Sequence, residues 1–138
     1  MKVALVNQPI GTIDLRDHAG SIGILVFETA RRLAQTCEVT VYTRGRLEQS
    51  PEEVLEDVRY RRIRPDWDDR LAKPLNLAFR LRSPKRPFFA SSLYARAYLR
   101  AITKDLRKHP ADIVHIHNFV QFVPAIRAVN PKAKSLST

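Results

Sequence analysis

Met1-Lys2-Val3-Ala4-Leu5-Val6-Asn7 and Glu38-Val39-Thr40-Val41-Tyr42-Thr43, taken with the stretch between them, decide the fold. The first is a short continuous apolar run ended by Asn7, Gln8 and Pro9, the pattern of a strand buried on both faces. The second alternates and is rich in β-branched residues, which predicts another strand. Residues 8–20 are loop-like, carrying Pro9, Gly11, Asp14, Asp17, His18 and Gly20. From Ser21 to about Gln35 the period turns helical. Ile22, Val26, Ala30 and Leu33 share one face, and Glu28 is placed to pair with Arg31 and Arg32. Strand, loop, helix, strand at this spacing is a βαβ unit.

Towards the C-terminus the same grammar continues. Val58 to Arg64 alternates weakly and predicts a third strand, flanked by so many arginines that an edge position is expected. Ser91 to His109 predicts a long helix, with Tyr94, Tyr98, Ile102 and Leu106 on one face and Pro110 as its stop. Asp112-Ile113-Val114-His115-Ile116-His117 is a compact β-branched run and a fourth strand; Phe119 to Val129 is a short helix, and Lys132 to Leu136 begins a fifth strand. Two stretches are less regular. Ser50-Pro51-Glu52-Glu53 has the composition of a capped helix start. Residues 65–90 mix four prolines with Leu71, Leu75, Leu77, Phe79, Leu81, Phe88 and Phe89, and match neither a core element nor a polar linker. The order of elements points to an α/β fold, a doubly wound parallel sheet incomplete at its C-terminal end.

Composition bounds the function. The chain has 138 residues, one domain's worth, with 44% apolar and 28% charged residues, which excludes both disorder and a membrane-spanning bundle. Lys and Arg number 24 against 14 Asp and Glu, a net charge of +10 that favours an acidic partner: nucleic acid, anionic lipid or a phosphorylated substrate. Cys37 is the one cysteine, so an intrachain disulfide is excluded and a reducing compartment fits. The N-terminal apolar run is too short for a secretory signal, and no later stretch approaches the roughly 20 apolar residues of a spanning helix. The expected location is cytoplasmic, with peripheral attachment to the inner face of the cytoplasmic membrane as an option.

In open parallel sheets the ligand crevice lies beyond the carboxyl ends of the strands. Two segments should meet there. Gly20-Ser21-Ile22-Gly23 opens the first helix, where free N–H groups and the helix dipole favour phosphate; from spacing alone an ordinary turn with a helix cap is an equal reading. His115-Ile116-His117-Asn118 closes the fourth strand, and alternation puts both histidines on one face. No third ligand stands at a recognisable spacing, so no metal is expected. His115 reads as a core histidine held by a hydrogen bond. His117, nearer the mouth, is the candidate for touching a polar ligand or acting as a base. Asp66, Asp68 and Asp69 around Trp67 read as a solvated turn. Arg80, Arg82, Lys85 and Arg86 are interleaved with Leu77, Phe79, Leu81, Phe88 and Phe89; a solvated face is the ordinary reading, and an anionic membrane surface is the sharper one. No helix-turn-helix, zinc-finger or aromatic sheet motif supports nucleic acid.

Met1 to Asn7, the run from Gly20-Ser21 through Glu28-Thr29-Ala30-Arg31-Arg32-Leu33-Ala34 to Arg44, and Asp112 to Asn118 together resemble the N-terminal domain of family 4 glycosyltransferases, which have the two-domain GT-B architecture. The resemblance covers both ends of the chain and hardly touches residues 45–90. It implies that residues 1–138 are the acceptor-side, Rossmann-like domain, with strands near Val58–Ile63, Val39–Thr43, Val3–Val6 and Ile113–His117 side by side in that order. It implies a retaining transferase that moves a sugar from a nucleotide-sugar donor to a glycan or lipid-linked acceptor without a cofactor. By the same resemblance His117 is catalytic, and Gly20, Ser21 and Asn118 bind substrate. The donor-binding domain would lie beyond Thr138, leaving a partial chain that is inactive alone. The alternative is a free-standing module that binds a phosphorylated or anionic lipid ligand without chemistry.

Overall fold

A computed structural model describes residues 1–10, 13, 20–64, 66–82, 85 and 94–137. In chain order the elements are β1 (Lys2–Val6), α1 (Ser21–Leu33), β2 (Glu38–Arg44), β3 (Glu52–Leu55), β4 (Val58–Ile63), α2 (Asp66–Arg82), α3 (Arg96–Lys108), β5 (Ile113–Ile116), a 3-10 turn (Val120–Phe122), α4 (Val123–Val129) and β6 (Lys134–Ser137). The six strands form one sheet in the order β3-β4-β2-β1-β5-β6. All neighbours are parallel except the β3–β4 pair. The expected order of the four main strands is therefore the observed one, and the fold is α/β and Rossmann-like.

Each face of the sheet has its own core, because the strands are apolar on both sides. On one face Val3, Leu5, Val39, Val41, Val58 and Tyr60 pack against Val26 and Ala30 of α1. On the other, Ala4, Val6, Tyr42, Val114 and Ile116 meet Tyr98, Ile102 and Leu106 of α3, with Phe122 and Ile126. The expected faces of α1 and α3 are thus the buried ones. In α1 the pairing of Glu28 with Arg31 also forms, at 3.0 Å. The chain leaves β1 across one face towards β2 and returns to β5 across the other, so the winding direction reverses between β1 and β5. That reversal fixes where a crevice opens.

Several expectations are corrected. The stretch at Ser50 is not a helix start: Glu52–Leu55 is a strand, antiparallel to β4. Ser50 Oγ donates to the Glu52 carbonyl at 2.9 Å, and the glutamates pair across the hairpin, Glu52 with Arg61 at 2.9 Å and Glu53 with Arg62 at 2.6 Å. β3 consequently takes the edge, and β4 is internal. Asp66, Asp68 and Asp69 do not form a solvated turn but the first turn of α2, where negative charge favours the helix N-terminus. Asp68 then accepts hydrogen bonds from the Ala97 and Tyr98 amides, both at 2.9 Å, tying α2 to the start of α3. That helix opens at Arg96, after Ala95 in the left-handed region (φ 56°), and so leaves Tyr94 outside it. The expected helix start at Ser91, most of the 8–20 loop, and Arg86, Phe88 and Phe89 lie outside the described residues.

Candidate functional site

The carboxyl ends of β1 and β5 lie side by side. Beyond the last strand residues the ladder continues through two backbone bonds: the His117 amide donates to the Val6 carbonyl at 3.0 Å, and the Asn7 amide donates to the Tyr42 carbonyl at 2.9 Å. Asn7 and His117 therefore stand level at the rim of the crevice, both buried. Asn118 follows in a left-handed conformation (φ 63°) and is exposed, and the chain returns to the core at Phe119.

His117 is 4% exposed, and its Nε2 has no hydrogen-bond partner among the described residues. Burial, and after it the neighbouring His115, pushes the imidazole down to about 4. The two rings lie on one face as alternation requires, with centroids 4.2 Å apart. His115 differs from the expectation of a core histidine. It is half-buried, with burial lowering its pKa, because α1 covers β1, β2 and β4 on this face more fully than β5. At neutral pH both imidazoles are uncharged. His117 can donate one hydrogen bond and accept another, but it is a weak proton acceptor.

Gly20 and Ser21 open α1 on the same face of the sheet as the histidine pair, and both are exposed. Gly20 has φ 93°, a region that disfavours any side chain, and a Cβ there would meet nothing within 4 Å. Among the described residues no side chain caps the helix, and its first turn carries no acid, which leaves the leading amides and the dipole favourable to an anion. The arrangement suits a phosphate or a sugar hydroxyl.

Sequence reasoning missed the floor of the crevice. Tyr98 reaches from α3 beneath the strand ends, its hydroxyl 2.9 Å from the Asn7 carbonyl and 3.1 Å from that of Tyr42. Thr43 Oγ1 accepts from the Asn7 side-chain amide at 3.3 Å and from the Ile13 amide at 3.2 Å. Arg44 donates to the Pro9 carbonyl at 3.5 Å and pairs with Asp69. A polar residue directly after a buried strand, as at Asn7, was the available signal; the Tyr98 hydroxyl had none, because its position marks it as core.

Arg80 and Arg82 lie elsewhere, exposed in the last turn of α2 with Lys85 just beyond. Among the described residues no three His, Cys, Asp or Glu side chains converge as metal ligands. A small cleft between Lys2, Glu38, Arg59, His109 and Pro110 sits at the amino ends of the strands, the opposite end from His117. Among the described residues no helix is long and apolar enough to cross a membrane.

Comparison with known families matches residues 22–138 to the model described as Glycosyltransferase Family 4. Among curated proteins nothing matches.

Proposed function

Because the chain belongs to glycosyltransferase family 4, we propose that it is the acceptor-side half of a retaining glycosyltransferase, with its reaction centre over the carboxyl ends of β1 and β5. The observation that carries this reading is the buried Nε2 of His117 at the crevice rim, which has no hydrogen-bond partner among the described residues. A buried polar atom left open costs stability, and a substrate hydroxyl would satisfy it.

The geometry supports the following roles. Transfer forms a bond from an acceptor hydroxyl to the anomeric carbon and breaks the bond from that carbon to the donor's diphosphate. The acceptor proton leaves with the departing diphosphate. Held down to about 4, His117 is too weak a base to take that proton near neutrality; it hydrogen-bonds a sugar hydroxyl and fixes its orientation. Gly20 and Ser21 offer the leading amides of α1 to the diphosphate, and exposed Asn118 offers its amide to the acceptor. Holding donor and acceptor in attack geometry can lower the barrier by roughly 7–11 kcal/mol, an effect that needs both walls of the cleft. In this reading a donor-side domain supplies the second wall. The donor is a nucleotide-sugar and the acceptor a glycan or lipid-linked sugar. The net charge of +10 supports work at the anionic inner face of the cytoplasmic membrane.

The test is a sugar-transfer assay with nucleotide-sugar donors, run on residues 1–138 alone and on the two-domain parent enzyme. Turnover by the parent and none by residues 1–138 is the expected result. Sustained turnover by residues 1–138 alone would overturn the half-site reading.

A further inference from the structure

The outer side of α2 carries an apolar strip that the transfer chemistry does not use. Trp67, Leu71, Pro74, Ala78 and Leu81 follow one another at spacings of four, three, four and three, which aligns them along one face of the helix. All five are exposed, Trp67 at 66% and Leu81 at 80%, and Leu77 on the shoulder of the strip is exposed at 63%. The adjoining face, with Asp68, Ala72, Leu75 and Phe79, is the half-buried one. Docking on α3 accounts for that face, while the outer strip is exposed.

Cations border the strip. Arg70, Lys73, Arg80 and Arg82 lie on the same helix and Lys85 follows it, all exposed. The acids of the first turn are partly spoken for, Asp68 by the α3 amides and Asp69 by Arg44. Arg70 lies over the Trp67 ring, 5.5 Å from its centroid, so an indole and a cation are presented together. An aromatic at one end, leucines along the strip and cations beside it is the composition of a helix lying in a lipid headgroup layer.

We propose that the outer face of α2 docks on an anionic lipid bilayer, with Trp67, Leu71, Leu77 and Leu81 entering the headgroup boundary and Arg70, Lys73, Arg80, Arg82 and Lys85 meeting lipid phosphates. A second copy of the chain is the competing occupant, since the spacing also resembles a helix–helix seam. Charge decides between them. Two such faces would bring like-charged flanks together on chains of net charge +10, whereas an anionic surface complements them. Each Lys or Arg close to such a surface strengthens binding about fivefold. The inference rests on the peripheral location proposed above and not on the transfer chemistry.

Trp67 is the chain's one tryptophan, so its emission reports the strip directly. The full 138-residue chain is titrated with vesicles of phosphatidylcholine alone and of phosphatidylcholine mixed with phosphatidylglycerol. A blue shift with the anionic vesicles only, reversed by high salt, is expected. Leu71→Ser with Leu81→Ser, and separately Arg80→Glu with Arg82→Glu, should each weaken binding tenfold or more while circular dichroism stays unchanged. Emission that does not move with anionic vesicles, or moves equally with neutral ones, would overturn the proposal. So would concentration-dependent dimerisation abolished by the serine pair without any vesicle response. Transfer by the parent enzyme to a soluble acceptor should survive the serine pair, which separates failure of this surface from failure of the proposed function.

Discussion

His115 and His117 stack at the end of β5 with ring centroids 4.2 Å apart and planes inclined by 33°. The contact follows from strand geometry, since residues two apart project from the same face. Its consequence is electrostatic. Burial lowers the pKa of both rings and His115 adds to the effect on His117, so the pair stays neutral where isolated histidines would begin to charge.

Replacing His115 with alanine should therefore raise the pKa of His117 from about 4 towards its ordinary value near 6.5. Both the lost neighbour and the added solvent act in that direction. Titration of the His117 ring protons by NMR measures it; an unchanged pKa would mean that the pair is not coupled.

The same depression makes stability depend on pH. Between about 4 and 6.5 the unfolded chain holds a proton on residue 117 that the native chain lacks. Stability is thus full above about pH 6.5, falls as the pH drops towards 4, and levels off below, for a loss of at most about 3–4 kcal/mol from this residue. Urea midpoints across that range, compared with those of His117→Gln, should show the variant's curve flatter.

Tyr98→Phe removes the hydroxyl that lies beneath the Asn7 and Tyr42 carbonyls. The ring still fills its place, so the cost is that of the missing hydrogen bond in a buried site, about 1–3 kcal/mol. Urea denaturation reads it. A variant as stable as the parent protein would show that the crevice floor does not depend on Tyr98.

Asp68→Ala should cost about 1–2 kcal/mol, the usual value of a lost helix cap, because it frees the Ala97 and Tyr98 amides. Asp68→Asn keeps an acceptor oxygen and should cost less. If alanine and asparagine behave alike and neither destabilises, the tie between α2 and α3 is not structural.

Gly45→Ala tests the carboxyl end of β2. An added Cβ would stand 2.8 Å from the Arg62 Cβ, which is held in the sheet, so overpacking by about 1–3 kcal/mol is expected. A neutral result in thermal denaturation would show that the β2–β4 junction yields freely.

Much of this architecture is legible in the sequence, for a definite reason. Val3–Val6, Val39–Thr43 and Ile113–Ile116 are buried runs whose local chemistry and tertiary environment agree, and the α1 and α3 stripes announce their faces. β3 and α2 are not legible because their determinants are distant. Pro51-Glu52-Glu53 has helix-start chemistry, yet its glutamates meet Arg59, Arg61 and Arg62 only once β4 is in place. The turn that joins the two strands sets Glu56 and Asp57 at φ 48° and 63° without a glycine to mark it. α2 carries Pro74 in its interior, which argues against a helix there, and it buries no residue fully, so its apolar spacing has no core to point to. At the proposed site, the strand position places His117 at the crevice rim and the helix start places Gly20 and Ser21 on the same face, as the sequence suggests. The Tyr98 hydroxyl and the open Nε2 of His117 emerge only from packing.

The central claim is that His117 contacts the reacting sugar. Its most direct test is the rate of sugar transfer by the proposed two-domain enzyme carrying His117→Ala, measured beside His115→Ala with both variants shown to be folded. Losing a hydrogen bond that orients the reacting centre should lower the rate of His117→Ala about 100-fold. His115→Ala should lose far less. A folded His117→Ala enzyme that transfers sugar at the parent rate would contradict the account.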